Sequence, residues 1–264
     1  MSALYERTID EVYKALGAFS KPYEIDKKRF ASSLRLLNER ELIRGKKILD
    51  LGSGVCIFPI ALKRLGAEVV GFDKFIFPSA FDNPYRIADF KALQTIWDKE
   101  GITVREGDLL KRLPFEEGEF DLVNSDCTIE HLLDSPKSLF AEVRRVLRPG
   151  GTFLLTTPNL ANLSRRIRFL LGRSPYWDLR EYFDGEAHFT GHRREFTLSE
   201  LCELLSWSGF SVTLQKTQNS FFSVNRLLHP RKWMAHVASA LSFPFPRMRE
   251  ILFVLCQKPV RKEL

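Results

Sequence analysis

Apolar positions along the chain alternate between two periods. Residues 6–16 and 27–44 repeat at helical spacing, and in the second stretch Phe30, Leu34, Leu37 and Leu42 recur roughly on one face. Gly45 then supplies a helix stop. Residues 47–51, Lys-Ile-Leu-Asp-Leu, are a short apolar run ended by a glycine-rich turn, the pattern of a strand buried on both faces. The exchange then repeats. Residues 56–65 predict a helix closed by Gly66, 68–73 a second strand, 85–99 a helix closed by Gly101, 102–106 a third strand and 120–124 a fourth. Residues 136–147 predict a helix, 148–151 (Arg-Pro-Gly-Gly) a turn, and 152–156 a fifth strand.

This alternation implies a parallel sheet with helices on both faces, because parallel neighbours need a crossover and a helix usually provides it. Residues 197–208 predict one more helix, with Thr197 as N-cap and Glu200 as its capping-box partner. Residues 210–214 and 251–257 add two strands, making seven. Two stretches break the pattern: 158–196, rich in arginine and aromatics, and 218–248, which mixes Phe221, Phe222, Trp233, Phe243 and Phe245 with basic residues between Pro230, Pro244 and Pro246. The expectation is a single domain: a helical segment 1–45, a core 46–157, and substrate-cap insertions 158–196 and 218–248.

Charge changes this picture only in the second half. The net charge is +7 over 264 residues. Residues 1–160 hold 24 basic and 24 acidic residues, so the whole excess lies in the last 104. A solvated basic face, an anionic substrate, an anionic membrane surface and nucleic acid would all suit it. The amphipathic mixture in 218–248 suits a lid over an acceptor pocket, contact with a membrane surface or contact with a protein partner. The four cysteines, at 56, 127, 202 and 256, form no C-x-x-C pair, so reduced thiols are expected. The first ten residues are polar and no run of about 18 apolar residues occurs, so the expected location is cytoplasmic, with peripheral contact at the inner membrane surface open.

The chemistry starts at the turn after the first strand. Gly52 and Gly54 let a ligand approach the backbone, and the following helix offers free N–H groups at its start. Asp73, at the end of the second strand, is placed to accept hydrogen bonds from two ribose hydroxyls. A dinucleotide site wants a third glycine at position 57, where Ile57 stands. Asp50, two residues ahead of Gly52, suits a ligand carrying an ammonium or sulfonium charge better than a pyrophosphate.

The ordered set of motifs resembles the class I S-adenosylmethionine-dependent methyltransferases. Residues 48–54 (Ile-Leu-Asp-Leu-Gly-Ser-Gly) resemble the family's first motif, 69–73 its second strand, 106–109 (Glu-Gly-Asp-Leu) the segment whose Asp faces adenine, 120–125 its fourth strand, 129–132 (Ile-Glu-His-Leu) the segment after it, and 147–151 the turn before the fifth. One position departs: Cys56 stands where the family often has another glycine.

The resemblance implies an α/β fold, a Rossmann-like doubly wound seven-stranded sheet that is mostly parallel with an antiparallel last strand. It implies S-adenosyl-L-methionine as cofactor, held by Asp50, Gly52, Ser53, Gly54, Asp73, Lys74, Asp108, Leu109, Asn124 and Ser125.

Methyl transfer needs alignment, exclusion of water and, for a hydroxyl acceptor, a base. Candidates are His131, His188 and His192, with Glu130 beside the first. Residues 188–197 resemble a segment of bacterial methyltransferases acting on glycans or lipids. No metal is expected, because Glu130 and His131 are adjacent and neighbouring side chains on a helix diverge.

The favoured reading is O-methylation of a small-molecule, glycan or lipid-linked acceptor. One alternative is an RNA methyltransferase using the basic half, disfavoured because residues 124–127 are Asn-Ser-Asp-Cys rather than an N-P-P-Y-type tetrad. Another is a binding protein without turnover.

Overall fold

The computed structural model describes residues 2–75, 87–176, 179–184, 191–220 and 233–260. Seven strands form one sheet: β1 (Lys47–Leu51), β2 (Glu68–Asp73), β3 (Thr103–Glu106), β4 (Phe120–Asp126), β5 (Leu147–Pro158), β6 (Ser211–Gln218) and β7 (Ile251–Gln257), in the order β3-β2-β1-β4-β5-β7-β6. Strands β1 to β5 pair in parallel, while β7 runs antiparallel to both β5 and β6. The expected doubly wound sheet with an antiparallel last strand is what forms.

Two cores flank the sheet because successive strand residues point to opposite faces. Ile48, Val69, Leu122 and Leu154 belong to one, under helices α1 (Ser2–Leu16), α2 (Lys27–Asn38), α3 (Ile57–Arg64) and α4 (Ile87–Glu100). Leu49, Phe72, Val123 and Phe153 belong to the other, under α5 (Lys137–Val146) and α8 (Leu198–Trp207). Helix α1 buries Tyr5, Ile9, Val12, Tyr13 and Leu16, a stripe at helical spacing. The predicted capping box forms on α8: the Thr197 side chain accepts from the Glu200 N–H, and Glu200 Oε2 accepts from the Thr197 N–H at 2.8 Å. Shorter helices α6 (Leu163–Leu170), α7 (Leu179–Asp184) and α9 (Trp233–Leu241) lie in the two stretches outside the alternation.

Two sequence expectations need correction. The second helix ends at Asn38, not at residue 44. Glu41 takes a left-handed φ of 56°, Ile43 turns into the core, and the Gly45 N–H donates to the Gly66 carbonyl at 2.8 Å. Burial of Ile43 and that loop-to-loop bond outweigh continued helix. The expected turn at 148–151 is the irregular start of β5, where Leu147 already pairs with Phe120 across a bulge.

One buried ion pair ties the N-terminal helices to the sheet. Arg29, on α2, donates from Nε to both carboxylate oxygens of Asp126 at 3.1 and 2.9 Å, and from Nη1 to Asp26 at 2.7 Å. Its side chain is only 7% exposed. Removing the guanidinium leaves two largely buried acids without their cation, so Arg29→Ala is expected to lose about 3 kcal/mol, the scale for breaking a buried pair. Thermal denaturation should show a fall of roughly 6–12 °C. A loss below about 1 kcal/mol would mean that the acids find other partners.

Candidate active site

Strand β1 sits between β2 and β4, so chain crossovers leave it in opposite directions and a cleft opens beyond its carboxyl end. The loop there is tightly wound: Gly52, Gly54 and Cys56 all take left-handed φ, at 78°, 51° and 66°. The N–H groups of Gly52 and Ser53 both donate to the Phe72 carbonyl, at 2.8 and 3.3 Å. A Cβ on Gly52 would lie 2.2 Å from Thr128 Oγ1, so glycine is required for space as well as for φ. Cys56 occupies the third left-handed position with a side chain, at a cost of about 1–2 kcal/mol. Its thiol is buried against Ser53 Oγ at 3.6 Å, and burial pushes its pKa well up, so it packs as a neutral group.

Acids line this edge. Asp50 and Asn124 face each other across β1 and β4, and Asn124 Nδ2 donates to Asp50 Oδ1 at 2.5 Å. Burial pushes the Asp50 carboxyl up to about 7 against the lowering effect of that bond, with Asp126 and Asp73 adding repulsion. Asn124 Oδ1 and Ser125 Oγ are buried with no hydrogen-bond partner among the described residues. Asp73 accepts from the Gly54 N–H and the Phe75 N–H, each at 2.8 Å, so it clasps the glycine loop to β2. Burial raises its pKa, and these backbone bonds oppose the rise.

The remaining expected positions lie along the same edge. Asp108 accepts from the Leu110 N–H at 2.9 Å and pairs with Lys74 Nζ at 3.2 Å, and the backbone bond leads in lowering its pKa. Leu109 is buried in the α5 and α8 core. The structure also brings in residues that sequence reasoning missed. The Tyr23 hydroxyl lies 3.5 Å from where a Gly54 Cβ would stand, and Thr128 packs over Gly52. Tyr23 sits in the 3-10 segment Gly17–Asp26, which carries no periodic signal.

Beyond β4 a second polar group assembles. The 3-10 turn Ile129–His131 buries Glu130 and leaves His131 exposed. Glu130 Oε2 accepts from Thr157 Oγ1 at 3.1 Å, and its carbonyl accepts from the Arg193 N–H at 2.6 Å. That bond draws residues 191–196 onto the turn, and the His131 and His192 rings meet edge to face at 4.7 Å. His192 Nδ1 hydrogen-bonds Glu195 Oε1 at 2.5 Å, and Arg165 of α6 pairs with the same buried carboxylate. Burial, with His131 and Arg165 nearby, depresses the His192 pKa to about 3, so its imidazole is neutral. Burial likewise raises the Glu130 carboxyl to about 7. Two of the three expected histidines thus come together; His188 lies outside the described residues.

Comparison with known proteins points the same way. Residues 49–155 match the family model described as a methyltransferase domain. A Mycolicibacterium smegmatis protein whose name describes an S-adenosylmethionine-dependent methyltransferase is 38% identical over 111 residues, covering 42% of this chain and 36% of that protein. The ubiquinone biosynthesis O-methyltransferase of a Pseudomonas aeruginosa strain is 32% identical over 123 residues, 47% of this chain and 49% of the relative. The chain thus spans half or less of these curated relatives' length. Among solved structures, a chain from the complex of the Haloferax volcanii Trm112 methyltransferase activator with its methyltransferase superposes with a TM-score of 0.63 at 16% identity, covering 94% of this chain and 97% of that one. The [4+2]-cyclase SpnF superposes at 0.55 with 18% identity, covering 88% and 82%.

Asp50 and Glu130 hold their protons to about pH 7 when folded but only to about pH 4 when unfolded. The folded chain therefore binds more protons between those limits, and stability falls as pH rises through them, by up to about 1.4 kcal/mol per pH unit for each group. The unliganded protein should melt lower at pH 8 than at pH 5.5, and Asp50→Asn should flatten part of the slope. A pH-independent melting temperature would contradict this account.

Proposed function

We propose that the chain, whose residues 49–155 match the methyltransferase-domain model, is a class I S-adenosyl-L-methionine-dependent methyltransferase that moves the cofactor's methyl group to a hydroxyl of a small-molecule, glycan or lipid-linked acceptor. The observation that carries the cofactor reading is the acidic edge. Asp50 and Asp73 close β1 and β2 with no salt-bridge partner among the described residues, and near the end of β4 Asn124 Oδ1 and Ser125 Oγ are buried without hydrogen-bond partners among the described residues. Such an edge favours a sulfonium and an ammonium and repels a pyrophosphate. Asp50 and Asn124 would hold the ammonium. Asp73 has lone pairs beyond its two backbone bonds for ribose hydroxyls. Gly52, Ser53 and Gly54 would back the ligand, and Asp108, Leu109 and Lys74 would flank the adenine.

A hydroxyl acceptor must lose a proton as the methyl arrives. The imidazole of His192, oriented by Glu195 and next to His131, is the group placed to take it, and the Glu195 carboxylate at 2.5 Å is what would stabilise the imidazolium against the burial that otherwise makes this ring a weak base. The relatives named O-methyltransferases support oxygen as the acceptor atom.

A surface feature supports the lipid-linked member of the class. Helix α6 buries none of its residues; Phe169, Leu170 and Leu171 are 69%, 84% and 66% exposed, beside Arg166, Arg168 and Arg173. Helix α9 packs on α6, and exposed Leu241, Phe243 and Phe245 extend the apolar area. A basic helix with an uncovered apolar face suits an anionic bilayer surface. The proposed contact therefore joins α6 to residues 241–245 of the expected 218–248 stretch, of which residues 221–232 lie outside the described residues. No described helix is long and apolar enough to cross a membrane.

Calorimetric titration with S-adenosylhomocysteine tests the cofactor site: wild type should bind, and Asp73→Ala should bind at least tenfold more weakly. No heat in either would sink the assignment. Transfer is tested with methyl-labelled cofactor and bacterial extracts divided into organic-soluble, water-soluble and RNA fractions. Label in the organic phase is expected, and label confined to RNA would overturn the reading. Sedimentation with phosphatidylglycerol vesicles should retain the protein at low salt, and Phe169→Asp with Leu170→Asp should release it.

A further inference from the structure

We propose that Glu130, His131 and His192 form a binding site for one first-row divalent transition-metal cation of the zinc or manganese type. One ligand atom from each residue lies within 4.8 Å of the others. Ligands around a tetrahedral cation at about 2.0–2.2 Å stand roughly 3.5 Å apart, so the set must draw together on binding, and the exposed His131 side chain is the member least fixed by packing. The expectation of no metal rested on the adjacency of Glu130 and His131. It missed that a distant segment supplies the third donor: the Arg193 N–H bond to the Glu130 carbonyl carries His192 onto the turn.

The surroundings are those of a ligand set rather than of a packed polar cluster. Glu130 is fully buried; Thr157 satisfies Oε2, while Oε1 has no hydrogen-bond partner among the described residues. A buried carboxylate oxygen left so is costly unless a cation or proton meets it. His192 Nδ1 is engaged by Glu195, which Arg165 holds in turn. A carboxylate hydrogen-bonded to one ring nitrogen fixes the tautomer, the usual arrangement behind a metal-binding histidine, and coordination by His192 would use Nε2. Two imidazoles and one carboxylate select zinc, manganese or iron over magnesium or calcium, which prefer all-oxygen sites. Three protein ligands leave a position open. The use of that position rests on the O-methyl reading: it would hold the acceptor oxygen and lower its pKa, and in the metal-bound form His192 is a ligand and no longer the base.

The site is tested without cofactor or acceptor, so its failure is separate from failure of the transfer reading. Tag-free, chelator-treated full chain is titrated with Zn²⁺ by calorimetry and with Co²⁺ by visible absorption. One equivalent should bind, with ligand-field bands in the Co²⁺ form. His131→Ala, a surface change that leaves the fold intact by circular dichroism, should weaken binding at least tenfold, as should His192→Ala. Glu195→Ala should cost 10- to 100-fold through the imidazole it orients. S-adenosylhomocysteine affinity should be unchanged in His131→Ala. Absence of stoichiometric binding, or equal affinity in wild type, His131→Ala and His192→Ala, would overturn the proposal.

Discussion

Burial of negative charge at one edge of the sheet is the constraint around which the rest is arranged. Asp50, Asp73, Asp126 and Glu130 all sit at or just beyond the carboxyl ends of β1, β2 and β4. Among the described residues Arg29 is the one buried cation, and it is committed to Asp126 and Asp26. The other three acids are managed differently. Asp73 is surrounded by backbone N–H groups, while Asp50 and Glu130 hold protons to about pH 7. Each arrangement keeps a carboxyl available to a positive ligand without requiring a resident countercharge. The glycine loop follows from the same constraint, because its left-handed turns are what point the Gly54 N–H at Asp73.

This edge explains why one part of the molecule was legible in its sequence. Strand periodicity, the Gly52–Gly54 spacing and the acid closing β2 are local signals, and each fixes backbone direction within a few residues. Asp50 and Asn124 were likewise placed by strand ends, and parallel pairing of β1 with β4 brings them face to face. What was not legible depends on contacts between distant segments. Arg29 and Asp126 are 97 positions apart, and nothing about an arginine on an amphipathic helix marks it as buried. The pairing of His131 with His192 depends on the Arg193 backbone bond, which has no side-chain signature. The early end of α2 had the same origin: Ile43 is drawn into the core by packing that helical spacing does not encode.

The fold alone does not choose a reaction, since a cyclase shares it at a similar superposition score. Two layers packed around the sheet supply the contacts at its carboxyl edge that local motifs do not. One layer is the N-terminal pair of helices, which sets Tyr23 beside the glycine loop and locks onto β4 through Arg29. The other is the segment after β5, which carries both the exposed helix α6 and the residues that complete the histidine pair.

These last two features are joined by a continuous chain of side-chain contacts. Arg165 projects from α6 to Glu195, Glu195 holds His192, and His192 packs on His131 beside Glu130. Asn162 caps the start of α6, accepting from the Arg165 N–H at 3.1 Å, so Arg165 is fixed by its backbone at the end nearest the site. The apolar face that α6 offers to a surface lies in the following two turns, at Ile167 to Leu171. Helix α6, which carries the exposed apolar residues, and the His192 imidazole beside Glu130 therefore share one buried carboxylate, so the same group, Glu195, sets both the anchoring of the helix and the orientation of the ring.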